Sequence, residues 1–297
     1  MAYIHELSDD VILKEIKRRF DEKSSSLAEM EFLNRKLLEL NKKLSEMDSA
    51  KSHFLSLIKN EFNNPISSIL NLCSLLIGNK KPERSMDLTK MLHKEALELD
   101  FQIRNIIAAS EIEAGKTESY NSKINFESVY NDIKSTFEYL IEEKELNITF
   151  ENQTDIPIFI DAGKIYIVLL NLISNACEHS YKNGHISVLV RNDSEYLYMR
   201  VQDDGEGINV YNKLLVYNRF TQFNSGTNRL KNGLGLGLSV VKGELESMGG
   251  EVDYDSKPGE TIFFIKVPLS KQGCDHNCGM GGANDILFED FGDAVEL

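Results

Sequence analysis

Asn171 and Asn175 stand four residues apart in an apolar run that reads as one helix, so their side-chain oxygens project from the same face. Oxygens of that kind ligate a hard cation such as Mg²⁺ and, through it, phosphates. Downstream, Asp203-Asp204-Gly205-Glu206-Gly207 follows a β-rich run, and Gly233-Leu234-Gly235-Leu236-Gly237-Leu238 opens a helical one. Glycines at such junctions let the backbone approach a polyphosphate, while a helix N-terminus offers free N–H donors and a positive dipole. Turn chemistry alone accounts for either glycine run taken singly. The three elements in this order point to a nucleotide.

A second cluster lies near the C-terminus, where Cys274, His276 and Cys278 offer three soft or borderline ligands for zinc or iron. A closed tetrahedral site needs a fourth ligand, which the tail of a partner chain would supply. The alternative is a reduced segment that binds no metal. Beyond it, Ile286-Leu287-Phe288-Glu289-Asp290-Phe291 sets apolar residues among acids, a pattern suited to short-peptide docking.

The elements that must position these groups fall into four regions. Residues 1–52 are rich in Glu, Lys, Leu and Ser, and Met30, Leu33, Leu37, Leu40, Leu44 and Met47 recur in alternating steps of three and four. That is the heptad seam of a coiled coil, which needs a partner helix, the alternative being a solvated amphipathic helix lying on its own domain. The seam runs on into 54–76, where Pro65 should kink the helix or strain one turn of it. Gly78, Asn79 and Pro82 mark a turn. A second helix follows over 86–113 with Leu88, Met91, Leu92, Ala96, Leu99, Ile103, Ile106 and Ile107 on one face and Gly115 as its stop. Residues 53–120 thus form an antiparallel two-helix hairpin, half of a four-helix bundle that a dimer would complete. Over 121–269, helices around 129–143, 162–179 and 236–248 mix with β-rich runs at 186–190, 196–201 and 261–267, the first two joined as a hairpin. The fold class is α+β: a coiled coil and hairpin followed by an α/β sandwich. Residues 270–297 form an acidic, Cys-containing tail.

At this point the chain resembles the histidine kinase family of two-component signalling proteins. Asn171-Leu172-Ile173-Ser174-Asn175-Ala176 is similar to its asparagine box, Asp203 with Gly205 and Gly207 to its first glycine box, and Phe220 to its phenylalanine box. Gly233-Leu234-Gly235-Leu236-Gly237-Leu238-Ser239 is similar to the second glycine box. The resemblance covers roughly 52–269. It implies an ATP site built from Asn171, Asn175, Asp203, Gly205, Gly207, Gly233, Gly235 and Gly237. In it Asp203 accepts from the adenine amino group, Asn175 mainly holds Mg²⁺, and 221–232 forms a mobile lid; His179, beside the asparagine box, is placed to pack its ring near the nucleotide. Glu178 departs from the family, many of whose members have Lys or Arg there, near the phosphates.

The family's phosphorylation box is broken. Phe54-Leu55 at one end and Pro65 at the other fix the register, and the phosphoacceptor position is Asn60 where the family has histidine. A neutral imidazole nitrogen has a lone pair that attacks phosphorus, whereas an amide nitrogen's lone pair is delocalised into its carbonyl. Glu61 and Asn64 keep the acid and the amide that the family uses to dephosphorylate a response regulator, and an Asn can orient water by hydrogen bonding alone. The resemblance therefore implies a protein that binds ATP and Mg²⁺ without phosphorylating itself at the usual position, and acts on a receiver domain as phosphatase or docking partner. Two alternatives stay open. His53, about 10 Å along the helix axis from Asn60, would serve as the acceptor of an active kinase, or the chain would be a scaffold that heterodimerises with another histidine kinase.

Charge sets the outer limits. Lys and Arg number 33 against 47 Asp and Glu, a net charge of −14, which disfavours nucleic acid or an anionic membrane surface as partner. No run of about 18 apolar residues suggests a membrane span, and the expected setting is cytoplasmic. Backbone N–H donors and Mg²⁺ can hold ATP on an acidic protein, so the charge excludes nucleic acid but not nucleotide.

Overall fold

The computed structural model describes residues 9–78, 82–115, 118–208, 213–218 and 235–269. The chain divides into two compact units, Met1–Lys59 and Asn60–Leu297. Helix α1 is assigned over Asp9–Gly78, and its residues through Lys59 make up the described part of the first unit. There Leu33, Leu37, Leu40 and Leu44 of the heptad seam are all at least half exposed.

In the second unit the helical assignment of α1 runs unbroken through Pro65, whose ring is buried. Helix α2 (Pro82–Glu113) starts on proline, where the missing N–H costs nothing, and stops at Gly115, whose φ of +69° suits glycine. Strand β1 (Asn121–Lys123) pairs antiparallel with β3 (Phe159–Asp161). Between them come α3 (Phe126–Thr136), α4 (Glu138–Glu143) and β2 (Asn147–Gln153). The single helix expected over 129–143 is broken at Phe137, which leaves helical geometry and buries its ring edge-on to Phe101 of α2, centroids 5.7 Å apart.

Helix α5 (Ala162–His179) leads to β4 (His185–Asn192) and β5 (Tyr196–Asp203), and a 3₁₀ turn (Lys213–Tyr217) precedes α6 (Gly237–Ser247). Strands β6 (Glu251–Lys257) and β7 (Glu260–Pro268) complete a five-stranded mixed sheet of order β2-β4-β5-β7-β6, with β2 parallel to β4 and the other pairs antiparallel. Alternation sorts its faces: Ile186, Val188 and Val190, then Leu197, Met199 and Val201, then Phe263, Ile265 and Val267 are buried. They join Ile165, Val168, Leu169, Leu172 and Ile173 of α5 in one core, each such side chain contributing about 1.5–3 kcal/mol when fully buried. Among the described residues no helix is long and apolar enough to cross a membrane.

Candidate functional site

Helix α5 carries the asparagines and is fixed at both ends. Asp161 caps its start, accepting from Lys164 N at 3.0 Å, while its other oxygen accepts from Tyr120 N at 2.9 Å and the Ser119 hydroxyl at 3.3 Å. At the far end, the Lys144 ammonium donates to the carbonyls of Cys177 (2.8 Å), Glu178 (2.5 Å) and Ser180 (3.1 Å), a cation placed where the helix dipole is negative. Nothing in the local sequence marks Lys144 for this part, because it is 33 residues from the nearest of these carbonyls.

The two asparagines have different surroundings. Asn171 is 1% exposed, and its Nδ2 donates to Asn105 Oδ1 of α2 at 2.7 Å and to Ile167 O at 2.9 Å. Its Oδ1 is buried without a hydrogen-bond partner among the described residues and lies against Gly237, where an added Cβ would stand 2.7 Å from it. Asn175, one turn on, is half-buried. Asn105, itself buried, escaped the reading of the sequence because its partner is 66 residues away.

Beyond α5 the chain from 203 to 208 is stitched in place by its backbone. Tyr181 N donates to Asp204 O, Glu206 N to His179 O and Gly259 N to Gly205 O. Gly205 has no room for a side chain: a Cβ would lie 2.5 Å from Asp203 Oδ1 and 2.6 Å from His179 O. Gly207 combines a φ of +79° with a would-be Cβ 2.6 Å from Lys257 O. The neighbouring acids part ways here. Asp204 accepts from His185 N at 3.1 Å, closing the turn into β4. Asp203 is 4% exposed, and its Oδ1 has no hydrogen-bond partner among the described residues. Burial, with a smaller contribution from Asp204, pushes its pKa up from 3.8 to about 7. A buried acceptor with no donor among the described residues suits a donor brought by a ligand, such as an exocyclic amino group.

His179 closes the same region with Nδ1 2.9 Å from Glu206 Oε1. The Glu178 carboxylate receives the Ser174 hydroxyl at 3.2 Å, back along its own helix. Gly235 has a φ of +63°, and α6 begins at Gly237 after Leu236, which makes no side-chain capping bond to its first N–H groups. Phe220, Gly233 and the expected lid at 221–232 lie outside the described residues, as do Cys274, His276 and Cys278. Among the described residues no group of three or more His, Cys, Asp or Glu is placed to hold a metal. Of the phosphorylation box, Asn60 and Glu61 lie within α1, their side chains outside the described set, and Asn64 is exposed.

Residues 160–271 match the family of histidine kinase-, DNA gyrase B- and HSP90-like ATPases. The chain is similar to the sensor protein GacS of Pseudomonas syringae pv. syringae, 28% identical over 275 residues that make up 89% of this chain and 30% of that protein. It is similar also to the sensor histidine kinase RcsC of Escherichia coli K12, 28% identical over 236 residues, 78% of this chain and 25% of that one. Among solved structures it resembles in fold the histidine kinase AdeS of Acinetobacter baumannii, with a TM-score of 0.50 and 23% identity over 71% of this chain and 98% of that one. The chain thus spans less than a third of the length of the two sensor proteins.

Proposed function

Because the chain belongs to the histidine kinase family and carries its ATP-binding domain, we propose that it binds ATP with Mg²⁺ and acts in two-component signalling without phosphorylating itself at the usual position. The observation that carries the nucleotide reading is Asp203, buried and unpartnered at Oδ1 beside two positions that tolerate only glycine. In this reading Asp203 accepts from the adenine amino group, Asn175 holds Mg²⁺, and the uncapped start of α6 faces the phosphates. Asn171 acts from beneath, its amide committed to Asn105.

The reading of the acceptor position rests on Asn60, whose amide nitrogen is no nucleophile. Glu61 and Asn64 would then serve a receiver domain: the Asn64 amide orients a water for attack on the phosphorus of an aspartyl phosphate, releasing inorganic phosphate and the free carboxylate. Asn64 is exposed, as that use requires. Half-exposed seam leucines in α1 support self-association through the coiled coil, with the hairpin completing a four-helix bundle.

Two assays test this. In calorimetric titration the chain should bind ATP with Mg²⁺, and Asp203→Ala should weaken binding. With γ-labelled ATP the chain should acquire no acid-labile, base-stable label, while Asn60→His should acquire it. Label on the unaltered chain would show another acceptor such as His53 and defeat the pseudokinase reading. Phosphate release from a phosphorylated receiver should be lost in Asn64→Ala.

A further inference from the structure

Three helices meet at one side chain. Asn171 of α5 donates from Nδ2 to Asn105 Oδ1 of α2 at 2.7 Å, and its Oδ1 lies against Gly237, the first residue of α6. At 1% exposure Asn171 offers a ligand almost no surface of its own, so its influence on the nucleotide site passes through Gly237. The face of α2 that supplies Asn105 is buried at Gln102, Asn105, Ala108 and Ala109, in steps of three and four, and continues to Ile112, which meets Gly243 of α6. Small and apolar side chains suffice to pack two helices. Yet two amides are buried in this face, and Gln102 Oε1 has no hydrogen-bond partner among the described residues. A buried amide opposes folding unless it is bonded, and a bonded one fixes an orientation that apolar contact leaves free. Here the orientation fixed is that of Asn171.

We propose that Asn105 is a positioning residue of the nucleotide site: by holding the Asn171 amide it sets the place of Gly237, and so the aim of the first N–H groups of α6. The inference rests on the ATP reading above. The bond to Asn105 keeps the amide's oxygen, and not its NH₂ group, turned toward Gly237. Gly237 is seated so close that an added Cβ would stand 2.7 Å from that oxygen, and in packing this tight a turn of the amide displaces the start of α6. The hairpin helix α2 is then part of what makes the site bind ATP. Such coupling is reciprocal: if the packing of α2 favours ATP, bound ATP tightens the packing of α2.

Calorimetric titration of the full chain with ATP and Mg²⁺ tests this. Asn105→Ala should raise Kd at least about fivefold, and Asn105→Asp, which keeps an acceptor for the Asn171 amide, should recover most of the loss. Gly243→Ala crowds the same contact between α2 and α6 without touching the amide bond, and should leave Kd within about twofold. Hydrogen exchange on the unaltered chain supplies the converse and decides alone if Asn105→Ala does not fold: ATP with Mg²⁺ should slow exchange over residues 102–112 by about threefold or more. An unchanged Kd in Asn105→Ala, an equal rise in Gly243→Ala, or exchange over 102–112 that ATP does not slow overturns the positioning role while ATP binding stands. A chain that binds no ATP defeats the ATP reading itself, and this inference with it.

Discussion

Replacing Asp203 with Asn should separate the stability of the empty domain from its affinity for nucleotide. The unfolded chain releases this proton near pH 4 and the folded chain only near 7, because burial opposes the charge. Folding stability is therefore lost as pH rises from about 4 to 7, and the full cost persists above. Three pH units at 1.36 kcal/mol each come to about 4 kcal/mol, of which roughly 1 kcal/mol is already present at pH 4.5. Asparagine has nearly the same shape and no charge, so the variant's advantage in urea denaturation should grow by about 3 kcal/mol between pH 4.5 and pH 8. In a unit of this size that is roughly 6–12 °C in Tm. Titration of Glu244 cancels in the comparison, since both proteins carry it. Affinity for ATP with Mg²⁺ should move the other way: losing a hydrogen bond to a charged acceptor costs about 1.5–3 kcal/mol, roughly a 10- to 150-fold rise in Kd. A ligand donor favours the carboxylate, so the unaltered protein should also bind more weakly as pH falls below 7, a slope the variant lacks. A stability difference that does not change with pH, or an unchanged Kd, would refute the assignment of Asp203 as the buried, ligand-seeking carboxyl.

Glu244 of α6 is buried, which raises its pKa to about 7; Lys164 opposes the shift, and Asp161 and Glu111 add to it. By the same sign, Glu244→Gln should gain up to about 3 kcal/mol above pH 7 and little below pH 4.5, read from urea midpoints at both pH values. Asn105→Ala removes the acceptor of the Asn171 amide and should destabilise the second unit by about 1–3 kcal/mol, whereas Asn105→Asp, which keeps an acceptor, should be milder; equal losses would discount the bond. Gly243 faces Ile112 of α2, and an added Cβ would stand 2.7 Å from its Cδ1 and 2.9 Å from its Cγ2. Gly243→Ala should therefore cost about 1–3 kcal/mol, largely recovered in a double variant with Ile112→Ala.

How much of this was legible depended on where each residue's partners lie. Strands β4, β5 and β7 are central, and their alternation of buried positions with half-buried or exposed ones writes itself into the sequence. The edge strands do not: β2 turns only Ile148 and Phe150 toward the core among polar residues, and β6 alternates mainly charged ones. Such strands are specified by hydrogen bonds to a neighbour, a signal absent from their own composition. The break at Phe137 is equally invisible locally, because a ring on the far helix α2 decides it. Within the site, the parity of β5 separates the two neighbouring acids: Leu197, Met199, Val201 and Asp203 share the buried face, and Asp204 falls beyond it into the turn. That is a property of spacing. Asn105 and Lys144 have no such signature, since each meets its partners across more than 30 residues of chain.

Two buried aspartates show why partnering, more than burial, distinguishes a binding group from a structural one. Asp161 satisfies donors from Lys164, Tyr120 and Ser119, and these fix the start of α5 against the chain entering from the hairpin. Every one of those donors belongs to the fold, so the carboxylate contributes stability with no ligand needed. Asp203 is as deeply buried, yet the described residues supply Oδ1 with no donor, and Gly205 closes the space beside it. Folding alone gains nothing from that arrangement and loses stability above pH 4. An arrangement that opposes folding and persists is accounted for when an external donor repays it, and an amino group on a planar base meets that need without calling on the charge of the surface. The acidity of this protein is therefore no obstacle to nucleotide, because the recognition argued here depends on one buried acceptor and on backbone N–H groups, not on a cationic patch.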